Sequence, residues 1–230
     1  MATDLVLLPG LECDARLWRD VIIGLGDAVR PMVADLTQDD SITAMAARTL
    51  ASAPVRFAMA GLSMGGYVAL EIMRQAPERV SHLALLDTTA RPDDEARKEV
   101  RRAGMDAVRQ GKHLLIARAK LPGLLAPQNL DTALAEEIVA MAQRTGPESY
   151  LRQQTAIMAR IDSRPFLAEI TVPTLVGVGA LDTLTSPELA QEMAAAMPGS
   201  RLVEFPAAGH MATMEAPEAV VAAMREWLAR

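Results

Sequence analysis

Six short stretches of this chain are rich in apolar residues without alternating, at positions 5–8, 32–36, 55–60, 83–86, 174–178 and 202–205. A strand with one face in water shows a polar residue at every second position. Runs that are apolar almost throughout are what parallel strands covered on both faces require. Between them the period changes to that of a helix. Leu17, Trp18, Val21, Ile22 and Leu25 share one face. Ser41 is placed to cap a helix carrying Ile42, Met45, Ala46 and Thr49, which Pro54 closes. Val68, Ala69, Ile72 and Met73 recur at helical spacing until Pro77. Ser186, Pro187 and Glu188 read as a cap, a first-turn proline and a favourable N-terminal acid ahead of Leu189, Met193 and Met197. Val220, Val221, Met224, Trp227 and Leu228 form a last stripe.

Strands that alternate with helices predict an α/β fold built on a mostly parallel sheet. The alternation breaks across positions 91–165, where helical stripes such as Leu134, Ile138 and Met141 continue without a strand. The reading is a core of 1–90 and 166–230 with an inserted helical lid, 91–165, over the sheet's C-terminal edge. Arg97, Lys98, Arg101 and Arg102 lie close to Asp93, Asp94, Glu95 and Glu99, and this cluster reads as the lid's solvated face.

Composition narrows the classes. The 230 residues are half hydrophobic, enough for one sizeable core. A net charge of -6 argues against a general attraction to nucleic-acid phosphates or anionic membranes. No apolar run approaches the ~20 residues that span a bilayer, so no membrane insertion is expected. The opening residues lack the basic start and long apolar core of a signal peptide, and Cys13 is the only cysteine. Both features point to a reducing cytoplasm. Cys13 reads as a small buried hydrophobe. Nothing has the form of a metal-ligand cluster, a dinucleotide loop or a phosphate loop, so no cofactor is implied.

The chemistry begins at Phe57-Ala-Met-Ala-Gly-Leu-Ser63-Met-Gly-Gly, an apolar strand running through a G-x-S-x-G turn into a helix. That is the form of a nucleophile elbow, a sharp turn that lifts a serine above the end of a sheet in a strained conformation. Gly61 and Gly65 are expected there because side chains on either side of so tight a bend collide. A serine hydroxyl needs a base to take its proton and a third group to orient that base. Of three histidines, His82 enters an apolar strand and His113 sits in the lid. His210 follows Gly209 in a loop just past the last strand, at the edge where ligands gather in open α/β sheets. It is the expected base. Asp182 and Asp87 both end strands. Asp182 is preferred as the acid because its strand should neighbour the one leading to His210; Asp87 reads as a loop carboxylate.

Taken together, the opening LLPGLECDARLW, the elbow GLSMGG, the strand end VGVGALD and the terminal AAGHMATMEAP resemble, in order, blocks of the α/β-hydrolase fold superfamily. The resemblance covers nearly the whole chain. It implies Ser63 as nucleophile, Asp182 as acid and His210 as base, with an oxyanion hole at the backbone N–H groups of Leu11 and Met64. Two departures stand out. Pro9-Gly10 replaces the His-Gly of many relatives, and only three residues precede Asp4 where relatives usually carry a pair of strands. A trimmed sheet of about six strands is therefore expected.

The expected function is that of a serine hydrolase cleaving a small carboxylic ester or related acyl compound through an acyl-enzyme. The same triad serves lactonases, C–C bond hydrolases and perhydrolases, and a non-catalytic binding protein of this fold is a further alternative. The expected partner is a small-molecule acyl substrate; oligomeric state is silent. Aromatic residues are only 3% of the chain while methionine is frequent. A flexible aliphatic pocket lined by Leu124, Leu125, Met141, Met158 and Met211 is the corresponding expectation.

Overall fold

The structure, a computed structural model, describes residues 2–230. Six strands form one sheet: β1 (Thr3–Leu8), β2 (Val29–Val33), β3 (Phe57–Leu62), β4 (Val80–Leu86), β5 (Thr174–Gly179) and β6 (Arg201–Phe205). Their order is β2-β1-β3-β4-β5-β6, and every neighbouring pair is parallel. All six C-terminal ends therefore lie along one edge.

The apolar runs follow from burial on two sides. Val6, Leu8, Met59, Leu83, Leu85, Val176 and Val178 belong to one core cluster. Their sequence neighbours Leu5, Leu7, Ala58, Ala60, Ala84, Leu86 and Leu175 belong to another. Side chains alternate across a strand, so two dry faces leave no polar position. The first face is covered by α2 (Ile42–Ser52), α3 (Met64–Gln75) and α9 (Pro187–Ala196), through Met45, Ile72 and Met193. The second is covered by α1 (Arg19–Leu25) and α11 (Pro217–Leu228), through Val21, Met224 and Trp227.

Five of the six strands start elsewhere than the runs suggested, β1, β4 and β6 by one to three residues earlier, and two of the shifts have a clear cause. β2 lies three residues earlier and contains Pro31. Proline lacks an N–H and is tolerated here because β2 is an edge strand with β1 as its one partner. β3 begins at Phe57, because Val55 is almost fully exposed. Caps vary likewise. The Ser41 hydroxyl accepts the Ala44 N–H at 3.2 Å, whereas Ser186 holds the cap position without a side-chain bond to the helix.

Between β4 and β5 the chain forms α4 (Glu95–Arg109), α5 (His113–Ala119), α6 (Leu121–Leu124), α7 (Ala133–Thr145) and α8 (Pro147–Met158), and among the described residues no strand. One more short helix, α10 (Ala212–Glu215), precedes α11. Among the described residues no helix is long and apolar enough to cross a membrane.

Candidate active site

Among the described residues, three other than glycine have positive φ: Glu12 at 59°, Ser63 at 54° and Asp87 at 44°. They follow β1, β3 and β4, which are adjacent in the sheet, so the backbone strain is gathered at one place on its C-terminal edge. At Ser63 the strain is held by three bonds. Its N–H donates to the Leu86 carbonyl at 3.0 Å, and its carbonyl accepts from the Gly66 N–H at 2.9 Å and the Thr88 hydroxyl at 2.8 Å. The elbow glycines have separate reasons. A Cβ at Gly61 would overlap the Gly65 carbonyl across the bend. A Cβ at Gly65 would overlap the Leu8 carbonyl of β1, so that glycine lets α3 cross the neighbouring strand.

Ser63, His210 and Asp182 come together from β3, β6 and β5. His210 Nε2 lies 2.8 Å from Ser63 Oγ, and His210 Nδ1 lies 2.8 Å from Asp182 Oδ2. Asp182 is further held by the N–H groups of Leu184 and Thr185, at 2.8 and 3.0 Å, and by the Thr185 hydroxyl at 2.7 Å. Burial alone would push the Asp182 carboxyl up. The facing His210 and the donors from Thr185 outweigh it and hold the carboxyl below its usual range. Burial also works against a charged His210 ring, but the attraction of Asp182, its hydrogen bond, and the more distant Asp87 and Glu215 raise the ring above its ordinary value. Such an arrangement can accept the Ser63 proton and keep the resulting imidazolium stable.

The Asp87 side chain is fully buried. Its oxygens accept the N–H groups of Gly179 and Ala212 at 2.8 and 3.2 Å, tying the ends of β4 and β5 to the segment after His210. Burial pushes its carboxyl well above the usual range; the pull of His210 works against this, and a lesser repulsion from Asp182 adds to it. The other histidines are spoken for. His82 packs edge-on against Trp227, with ring centroids 5.7 Å apart, and burial lowers it. His113 Nε2 meets Glu12 Oε1 at 2.7 Å.

Glu12 went unnoticed in the sequence and is central in the structure. Its buried carboxylate bridges His113 and Lys120, the latter at 2.8 Å, and its N–H donates to Gln153 Oε1 at 3.0 Å. The loop carrying Leu11 is thereby fastened to α5, α8 and Lys120. Among the described residues, neither the Leu11 nor the Met64 N–H has a protein acceptor. For Met64, first in α3, that is the ordinary condition of a helix N-terminus. Burial, with Glu12 and Asp14 nearby, pushes the Cys13 thiol up, leaving it a poor nucleophile.

Ser63, His210 and Leu11 open onto a cavity of about 820 Å³ lying between the sheet edge and the inserted helices. Of the expected lining, Leu124 and Met211 face it. Leu125 and Met141 do not; they are buried in the core cluster of the second sheet face. Met158 packs instead against the cluster of Met105, Val108 and Tyr150. The charge cluster is also divided. Lys98 and Arg102 pair with Glu95 and Glu99 outside, but Arg101 turns inward to the buried Asp93, and Arg97 and Arg101 line the cavity. Tyr67, Tyr150 and Gln154 line it too, although the sequence singled out none of them. Among the described residues no group of three or more His, Cys, Asp or Glu is placed to hold a metal ion.

Residues 5–223 match the alpha/beta hydrolase family. The chain belongs to that family. An esterase from Thermogutta terrifontis, solved with malate bound, superposes with a TM-score of 0.90 at 31% identity, covering 100% of this chain and 90% of that one. A Mycobacterium tuberculosis protein designated a candidate non-heme bromoperoxidase, BpoC, is 34% identical over 89% of this chain and 76% of its own length. The pimeloyl-[acyl-carrier protein] methyl ester esterase of Edwardsiella ictaluri is 29% identical over 97% of this chain and 92% of its own. Membership in this family supports hydrolase chemistry.

Proposed function

We propose that this protein is a serine hydrolase that cleaves a small carboxylic ester through an acyl-enzyme. The observation that carries the reading is the single imidazole bonded at one nitrogen to Ser63 and at the other to Asp182. In this reading Ser63 Oγ attacks the acyl carbonyl while His210 Nε2 takes the hydroxyl proton. The negative oxygen of the tetrahedral intermediate lies against the Leu11 and Met64 N–H groups, and one such donor is typically worth ~10²–10³ in rate. His210 then returns its proton to the departing alkoxide, and the alcohol leaves. A water, deprotonated by His210, attacks the acyl-enzyme and releases the acid, with Ser63 recovering the proton. Asp182 keeps the ring in the tautomer whose Nε2 is free to accept. Helices α4–α8 serve as the lid over this cleft, and a reducing cytoplasm suits the lone buried Cys13.

Fluorophosphonate labelling tests the reading. We expect stoichiometric labelling at Ser63, and loss of both labelling and p-nitrophenyl ester turnover in Ser63→Ala. An unlabelled wild type, or a Ser63→Ala protein that still hydrolyses the ester, removes the proposal.

A further inference from the structure

Helices α4 and α8 give the cavity a polar wall that the acyl transfer does not use. One face of α4 carries Arg97, Val100, Arg101 and Gly104, at the i, i+3, i+4, i+7 positions of a helix face, and α8 contributes Tyr150 and Gln154 one turn apart. Tyr150 and Gln154 are only 1% and 2% exposed, yet both line the cavity. Among the described residues the Tyr150 hydroxyl bonds to no protein group. Gly104 leaves it room, since a Cβ there would stand 2.7 Å from the Tyr150 oxygen. Gln154 Oε1 accepts from Arg101 Nη1 at 2.9 Å, which fixes the amide and leaves its NH₂ without a protein acceptor. Lys120 Nζ lies 4.2 Å from the centroid of the Tyr150 ring. Gln154 thus presents only its NH₂ donors to the cavity, and the Tyr150 hydroxyl stands beside it with its hydrogen free to donate.

Its charge has the same sense. Behind the wall the buried Asp93 carboxylate is shared by two guanidiniums, Arg101 and Arg160, and the Glu12 carboxylate is shared by Lys120 and His113. Of these groups Arg101, Lys120 and Glu12 line the cavity, so two cations meet one carboxylate there, in a chain whose net charge is -6. At the mouth, Arg97 and Asp94 balance each other. Donors that face a cavity without a protein partner are available to the acceptor oxygens of a ligand, which can take the place of solvent there.

We propose that Tyr150, Gln154, Arg101 and Lys120 form a subsite for a carboxylate at the far end of the substrate, so that the ester cleaved at Ser63 bears a free acid group. Two neutral donors and a single excess positive charge match a monoanion better than a phosphate dianion. The inference rests on the acyl-transfer reading for its reaction, but not for its binding.

Calorimetry on Ser63→Ala with monomethyl adipate and its neutral counterpart dimethyl adipate reads the subsite without turnover. The acid-bearing ester should bind tighter by roughly tenfold or more, the usual range for hydrogen bonds to a charged group. Tyr150→Phe and Gln154→Leu should each bring the ratio of the two affinities toward one. Equal or tighter binding of the dimethyl ester, or a preference that survives both substitutions, overturns the subsite. Fluorophosphonate labelling of wild type separates the two claims: a labelled Ser63 without a carboxylate preference removes the subsite alone. A carboxylate preference with no labelling keeps the subsite and removes the acyl transfer.

Discussion

Thr185 donates its hydroxyl hydrogen at 2.7 Å to Oδ2 of Asp182, the same oxygen that meets the His210 ring. The threonine thus stabilises the anion that must hold the imidazolium. Thr185→Val keeps the shape and removes the donor. One such bond is worth about 0.5–1.5 kcal/mol, so kcat/KM should fall roughly two- to tenfold. Steady-state kinetics on a p-nitrophenyl ester checks this; an unchanged rate would mean the two backbone N–H groups suffice.

The raised pKa of His210 has a defined consequence for rate. The ring must be neutral to take the Ser63 proton, so kcat/KM should fall on the acid side with a midpoint above 6.5, the ordinary histidine value. Asp182→Asn removes the main raising influence. It should lower the rate and shift that midpoint downward. A pH–rate profile of both proteins decides; a midpoint that stays put would show that Asp182 does not set the ring's basicity.

Backbone strain at Ser63 predicts a stability difference between two inactive variants. Both Ser63→Ala and Ser63→Gly lose the hydroxyl, but only glycine adopts φ of 54° freely. Ser63→Gly should be the more stable of the pair by about 1 kcal/mol, the low end of the cost of a strained residue less glycine's unfolded-state entropy. Urea unfolding of both gives the answer, and equal midpoints would argue that the turn is unstrained.

Asp87 gives stability a pH dependence of definite sign. In the fold it keeps its proton well above the ordinary carboxylate range; in the unfolded chain it does not. Its stabilising effect is therefore complete below the unfolded value and fades as pH rises through the folded one. Asp87→Asn cannot ionise. Relative to that variant, wild type should lose stability progressively as pH rises above the ordinary carboxylate value of 3.8, as measured by denaturant unfolding at several pH values. A difference that stays constant with pH would show that Asp87 ionises in the fold as it does in the unfolded chain.

The fold was legible because both faces of the sheet are dry, so residues 5–8 or 174–178 read as strands on apolarity alone. Ser63, Asp182 and His210 stood out because each ends or follows such a run. Less visible was whatever depends on one specific neighbour. Pro31 sits in a strand only because nothing pairs on its far side. Leu125 and Met141 differ from Leu124 and Met211 in orientation, not in type, and residue type was the only guide to the pocket. Glu12 is a bridge only once His113 and Lys120, about a hundred residues onward in the sequence, fold against it. The inward turn of Arg101 depends on Asp93 being buried, and in the sequence that pair looks like any exposed charge couple.

The groups proposed to break the bond hang from strand ends of the sheet, while the polar wall belongs to a separate run of helices spliced between two of those strands. In that proposal reactivity and selectivity occupy different lengths of polypeptide. Grafting another helical segment between the same two strands would change which molecules are admitted while leaving the cutting apparatus as it stands, apart from the Glu12 tether, which would need a new anchor.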